Sequence, residues 1–157
     1  MAGLPAGDRR ARRDGADGPC LPPGTQSGGA AIVIVAIGVD TIAIARIERL
    51  LAQSPERFVQ RVFTADEAAY CRTRHRPAES FAARFAAKEA VLKCLGTGWA
   101  DGTGFRQIET CRQAKGAPTL RLHGPAAARA EALGIGRWHL SLTHTDDTAT
   151  AFVIAER

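Results

Sequence analysis

From Glu79 to Leu95 the chain reads Glu-Ser-Phe-Ala-Ala-Arg-Phe-Ala-Ala-Lys-Glu-Ala-Val-Leu-Lys-Cys-Leu, a helical stretch whose small and apolar residues lie on nearly every side of the axis. A helix of that kind is normally buried. Pro77 precedes it, and Gly96-Thr97-Gly98 follows as a C-terminal stop. Yet Arg84, Lys88, Glu89 and Lys93 interrupt it. Charges on a buried helix are costly unless each is paired or bound to a ligand.

The segments around it are legible by their period. Ile32 to Val39 is β-branched and continuous, the pattern of a buried strand, and Asp40 and Thr41 are placed to cap a helix through Ile44, Ile47, Leu50 and Leu51. Thr64-Ala65-Asp66-Glu67 fits a capping box, so a short helix is expected from there to about Arg74. Phe105 to Arg112 and Thr119 to Leu122 read as strands around a turn at Lys115 to Pro118. Pro125 to Leu133 is an alanine-rich helix, and Trp138 to Thr143 and Ala149 to Ala155 form a C-terminal hairpin about Asp146-Asp147. Separated strands and helices of this kind indicate an α+β fold, a small antiparallel sheet packed on helices.

Length and charge narrow the function. A chain of 157 residues with 45% hydrophobic content has room for one core. Residues 1–31 are rich in Gly, Pro and Arg, bury little, and read as a disordered extension or a mis-annotated start; residues 32–157 carry the domain. The longest apolar run, Ala30 to Val39, is about half of the roughly twenty residues a membrane span needs, and the N-terminus lacks an export signal. No membrane association is expected. Cys20, Cys71, Cys94 and Cys111 have no paired short spacing, which points to reduced thiols in the cytoplasm. The net charge of +5 invites a nucleic-acid reading, but the arginines are scattered singly along the helices and aromatic residues are few. An acidic protein or a phosphorylated small molecule suits the same charge.

Glu89 and Lys93 stand at i and i+4, which allows either a surface ion pair or two functional groups on one stripe of the helix. Asp40 either caps a helix or faces a cleft; with Glu89 it would supply the one or two carboxylates typical of a Mg²⁺ site. His144, in Ser141-Leu-Thr-His-Thr145, is either a structural turn residue or a phosphate contact.

Three blocks in order resemble the holo-acyl-carrier-protein synthase family, the small bacterial type of 4′-phosphopantetheinyl transferase: Ile37-Gly-Val-Asp40 with Arg46-Ile47, Arg84-Phe-Ala-Ala-Lys-Glu-Ala90 with Lys93 and Leu95-Gly-Thr-Gly98, and Leu140-Ser-Leu-Thr-His-Thr145. The resemblance implies transfer of the phosphopantetheine arm of coenzyme A to a serine of apo-acyl carrier protein, with release of adenosine 3′,5′-bisphosphate, in support of fatty acid biosynthesis. It implies Asp40 and Glu89 as magnesium ligands, Lys93 as a catalytic group beside the transferring phosphate, and Arg84, Gly96, Thr97, Gly98, His144 and Thr145 as contacts for coenzyme A. The family pattern does not decide which group takes the serine proton, for which Glu89, directly or through a metal-bound water, is the candidate catalytic residue. Arg46 and Arg49 would face the acidic carrier, and a homotrimer would share its active sites between neighbouring subunits. Two alternatives remain at this level. One is a related transferase serving polyketide or peptide synthase carriers; the other is a noncatalytic basic module binding RNA or protein.

Overall fold

The computed structural model describes residues 32–97, 102–112 and 116–157; the expected extension over residues 1–31, as well as Gly98 and Lys115, lies outside the described residues. In chain order the elements are β1 (Ile34–Ala43), α1 (Ile44–Gln53), α2 (Pro55–Val62), α3 (Ala65–Arg72), α4 (Pro77–Leu95), β2 (Ile108–Arg112), β3 (Pro118–Leu122), α5 (Gly124–Ala132), β4 (Arg137–His144) and β5 (Thr148–Glu156). β1, β5 and β4 form an antiparallel sheet in that order, and β2 pairs with β3 in a separate ribbon. All these elements fall in one compact unit, Ile32–Arg157. Among the described residues no helix is long and apolar enough to cross a membrane.

α4 is the centre of the core, as its composition requires. Phe81 to Lys88, Ala90 to Leu92, Cys94 and Leu95 are all buried, and the helix packs against β1 and β5. It ends at Gly96, whose left-handed backbone (φ 63°) suits a residue without a Cβ.

The capping box at the start of α3 is present, and it does more than end a helix. Thr64 Oγ1 accepts from the Glu67 amide at 3.2 Å, and Glu67 Oε2 accepts from the Thr64 amide at 3.0 Å. The same Oε2 accepts from Lys88 Nζ at 2.7 Å, while Oε1 accepts from the Thr110 amide at 2.9 Å. Lys88 is fully buried and also donates to the carbonyls of Phe105 and Ile108. One carboxylate thus ties α3, α4 and β2 together, and the helix charge most in need of a partner has three.

Two expectations need correction. β1 is buried on one face only: Gly38 and Ile42 turn inward, whereas Ile34, Ile37 and Val39 are about half exposed or more (56%, 57% and 50%), beside the exposed Phe152 of β5. Its continuous hydrophobicity belongs to a sheet with α4 on one side and, among the described residues, no element across the other. Nor do Asp40 and Thr41 cap α1. The strand runs on to Ala43, and α1 begins at Ile44 with no side-chain cap, its amide donating instead to the Asp147 carbonyl at 2.8 Å. The helix over Pro55–Val62 was also not foreseen from the sequence.

Gly38 sets how closely β1 lies on α4. A Cβ at this position would stand 2.0 Å from the Ala90 carbonyl oxygen and 2.8 Å from Cys94 Sγ. Gly38→Ala is therefore expected to lower stability by about 1–3 kcal/mol through overpacking, and to lower turnover as well because it lifts the strand that carries Asp40. Urea denaturation and a transfer assay on the same preparation check both. Unchanged values would show that the two elements can separate freely.

Candidate active site

Side chains alternate along β1, so Gly38, Asp40 and Ile42 share the face turned towards α4. With Gly38 in contact with α4 at Ala90 and Cys94, Asp40 comes to the helix near its last turns. Lys93 Nζ donates to Asp40 Oδ1 at 2.9 Å and to the Val39 carbonyl at 2.6 Å. The i, i+4 ion pair between Glu89 and Lys93 does not form, because the lysine is taken up by the strand.

Glu89 is half-buried on the same stripe of α4, and its carboxyl is pushed above the usual carboxylate range, first by burial and then by the charge of Asp40. Lys93 and Arg46 pull it the other way. Two carboxylates, an ammonium and a guanidinium therefore feel one another at the meeting of β1, α1 and α4. Among the described residues no third His, Cys, Asp or Glu joins the carboxylate pair. An all-oxygen set of two carboxylates suits a hard cation such as Mg²⁺, whose remaining ligands are ordinarily water and substrate phosphate. Asp40 adds to the effect of burial on Glu89, and a cation between the two carboxylates would offset that repulsion.

A second site forms on another side of α4. Arg84 precedes Glu89 by five positions, a rotation of about 140° around the axis. It lines a cleft of about 400 Å³ together with Tyr70, Arg74, Arg76, Arg112 and His144. Arg84 is buried, donates to the Ser80 carbonyl at 3.3 Å and lies over the Tyr70 ring at 4.2 Å; its Nε finds no hydrogen-bond partner. This corrects the view of the arginines as singly scattered. The run Arg72-Thr-Arg-His-Arg76 was the available signal, and folding adds Arg84 and Arg112 to it.

Among the described residues, the other expected contacts do not gather in that cleft. Gly96 and Thr97 lie at the C-terminal end of α4, and Thr97 borders a smaller cavity with Thr103, Pro125 and Arg129. The Thr145 hydroxyl is engaged in its own turn, accepting from the amides of Asp147 and Thr148. Arg46 stands within electrostatic reach of Glu89, whereas Arg49 is simply exposed on α1.

Residues 36–153 match the 4′-phosphopantetheinyl transferase superfamily, and the chain belongs to it. Its curated relatives narrow the placement within that class. The holo-[acyl-carrier-protein] synthase of Methylobacterium sp. (strain 4-46) is 50% identical over 128 residues, covering 79% of this chain and 95% of the relative. That of Solidesulfovibrio magneticus is 45% identical over 124 residues, covering 79% and 99%. Among solved structures, holo-[acyl-carrier-protein] synthase from Neisseria meningitidis superposes with a TM-score of 0.72 at 37% identity, over 80% of this chain and all (100%) of that one. The Helicobacter pylori enzyme, solved in complex with coenzyme A, gives 0.68 at 28% identity over 76% and 99%. The α+β architecture is thus that of a single phosphopantetheinyl transferase domain, and the family is the holo-[acyl-carrier-protein] synthases.

Proposed function

We propose that Ile32–Arg157 is the catalytic unit, that Asp40, Glu89 and Lys93 are its reaction centre, and that it works with Mg²⁺ in the cytoplasm in support of fatty acid biosynthesis. The chain is an enzyme that transfers the 4′-phosphopantetheine group of coenzyme A to a serine of apo-acyl carrier protein. The observation that carries the assignment of its centre is the contact of Lys93 with Asp40, beside a Glu89 whose carboxyl is raised by burial and then by the charge of Asp40.

Asp40 and Glu89 would hold the cation. When bound, Mg²⁺ supplies charge neutralisation at the pyrophosphate oxygens. Asp40 also fixes Lys93, which keeps the ammonium from folding back onto Glu89 and leaves its remaining donor capacity for the phosphate oxygens. The carrier serine hydroxyl attacks the phosphorus that bears the pantetheine arm, and the bond to the bisphosphate leaving group breaks. Glu89, beside the proposed cation, would also take up the serine proton. Arg46 and Arg49, exposed on α1, offer a basic approach to an acidic carrier.

Arg84 and His144 would bind coenzyme A phosphate, and they lie on another side of α4 from Glu89 and Lys93. That separation supports active sites shared between subunits, one chain offering its arginine cleft to the carboxylates of the next. The exposed apolar face of Ile34, Ile37, Val39 and Phe152 supports a homotrimer, whose contacts would cover it. Intact-mass measurement of apo-carrier incubated with the protein, coenzyme A and Mg²⁺ tests the activity. A gain of one phosphopantetheine is expected; no gain with folded protein and fresh carrier would reject it.

A further inference from the structure

We infer that Tyr70 is a positioning residue for coenzyme A: its ring and hydroxyl hold Arg74, Arg84 and Arg112 in the array that receives a phosphate group. This rests on the transferase reading above and names how its anion cleft is built. The Tyr70 ring has the guanidinium carbons of Arg84, Arg112 and Arg74 at 4.2, 5.3 and 5.4 Å from its centroid. Its hydroxyl accepts from Arg112 at 2.7 Å, and the other nitrogens of that guanidinium donate to the Gly116 carbonyl at 3.0 and 2.9 Å. Tyr70 thus grips Arg112 from one side while the Gly116 carbonyl grips it from the other.

Among the described residues none of these three arginines forms an ion pair. Among the described residues that line the cleft, Glu79 is the one carboxylate, and it is taken by Arg76. Three like charges around one ring repel each other, and Arg84 is buried with an unpartnered Nε. An aromatic face offsets part of that repulsion, since planar, weakly hydrated guanidinium groups stack on it favourably. What the array still lacks is a counterion. A phosphate with several charge-assisted hydrogen bonds is the ligand that completes it. Without the ring, the arginines would relax apart towards water, and the chain would have to reassemble them upon binding.

The test compares Tyr70→Leu and Tyr70→Phe with the parent protein in steady-state transfer, in calorimetric binding of adenosine 3′,5′-bisphosphate and in thermal unfolding. Tyr70→Leu is expected to raise KM for coenzyme A and Kd for the bisphosphate by about tenfold, from the loss of the stacked array. At saturating coenzyme A, kcat should stay within about twofold, because ground-state binding is what is lost. Tyr70→Phe keeps the stack and loses the grip on Arg112, so its effect should be smaller and should vanish in an Arg112→Gln background. Unchanged KM and Kd in Tyr70→Leu would overturn the inference, and so would a fall in kcat and thermal midpoint with no change in KM. If the parent protein proved inactive, the transferase reading would fail, and bisphosphate binding would still decide the role of Tyr70.

Discussion

Glu89→Gln is expected to leave the protein folded and to reduce phosphopantetheine transfer by about a hundredfold or more, the scale associated with losing a group that organises charge at a phosphoryl centre. Stability separates this from a general lesion. Glu89 is held above the ordinary carboxylate range by burial and by Asp40, so its folded pKa exceeds its unfolded one. The folded state then binds the proton more tightly than the unfolded state does. Glu89's contribution to stability is favourable below the usual carboxylate range and is lost as pH rises through the raised value. Without metal, the Gln variant should therefore gain on the parent protein as pH rises towards neutral. Millimolar Mg²⁺ should reverse the order, stabilising the parent and not the variant, because only the native parent binds it. Thermal midpoints across pH, with and without Mg²⁺, give the answer. A variant that responds to Mg²⁺ as the parent does would remove Glu89 from the metal site.

Lys88→Met, about 100° around the same helix turn from Glu89, should act mainly on stability. Lys88 and Glu67 are both buried and 2.7 Å apart. Removing the ammonium leaves a buried carboxylate with no cation, for which a loss of about 3–5 kcal/mol is expected. That is a large share of the roughly 5–15 kcal/mol that holds a typical domain together. Adding Glu67→Gln should recover part of the loss, since glutamine still serves the capping box and carries no charge to strand. Denaturant unfolding of the single and double variants measures both steps. A single variant within about 1 kcal/mol of the parent would show that the pair is dispensable. Turnover should fall in step with folded population only, because Lys88 touches Glu67 and two carbonyls and none of Asp40, Glu89 or Lys93.

Local patterns in the chain were readable where a single element decides the outcome. The all-round apolar helix, the Thr64–Glu67 capping box, the Gly96 stop and the C-terminal hairpin each depend on neighbours within a few residues. β1 was misjudged because a run such as Ile-Val-Ile-Val-Ala-Ile-Gly-Val records how apolar the faces are and not what covers them. Asp40 was open between cap and cleft because helix start and strand end compete over a few residues. The contest was settled by pairing with β5 as far as Ala43.

The sequence by itself determined that α4 would be central, that Glu89 and Lys93 would share a stripe of it, and, through three ordered blocks, which family the chain would join. Only the tertiary structure decided which charge meets which. Lys93 turned to Asp40 rather than to Glu89, Lys88 went to a capping-box carboxylate, and Arg74, Arg84 and Arg112 converged on Tyr70. The reason is range. Period and propensity act over one or two helical turns, whereas a charged side chain takes the partner that chain folding brings next to it, however far away that partner lies in sequence.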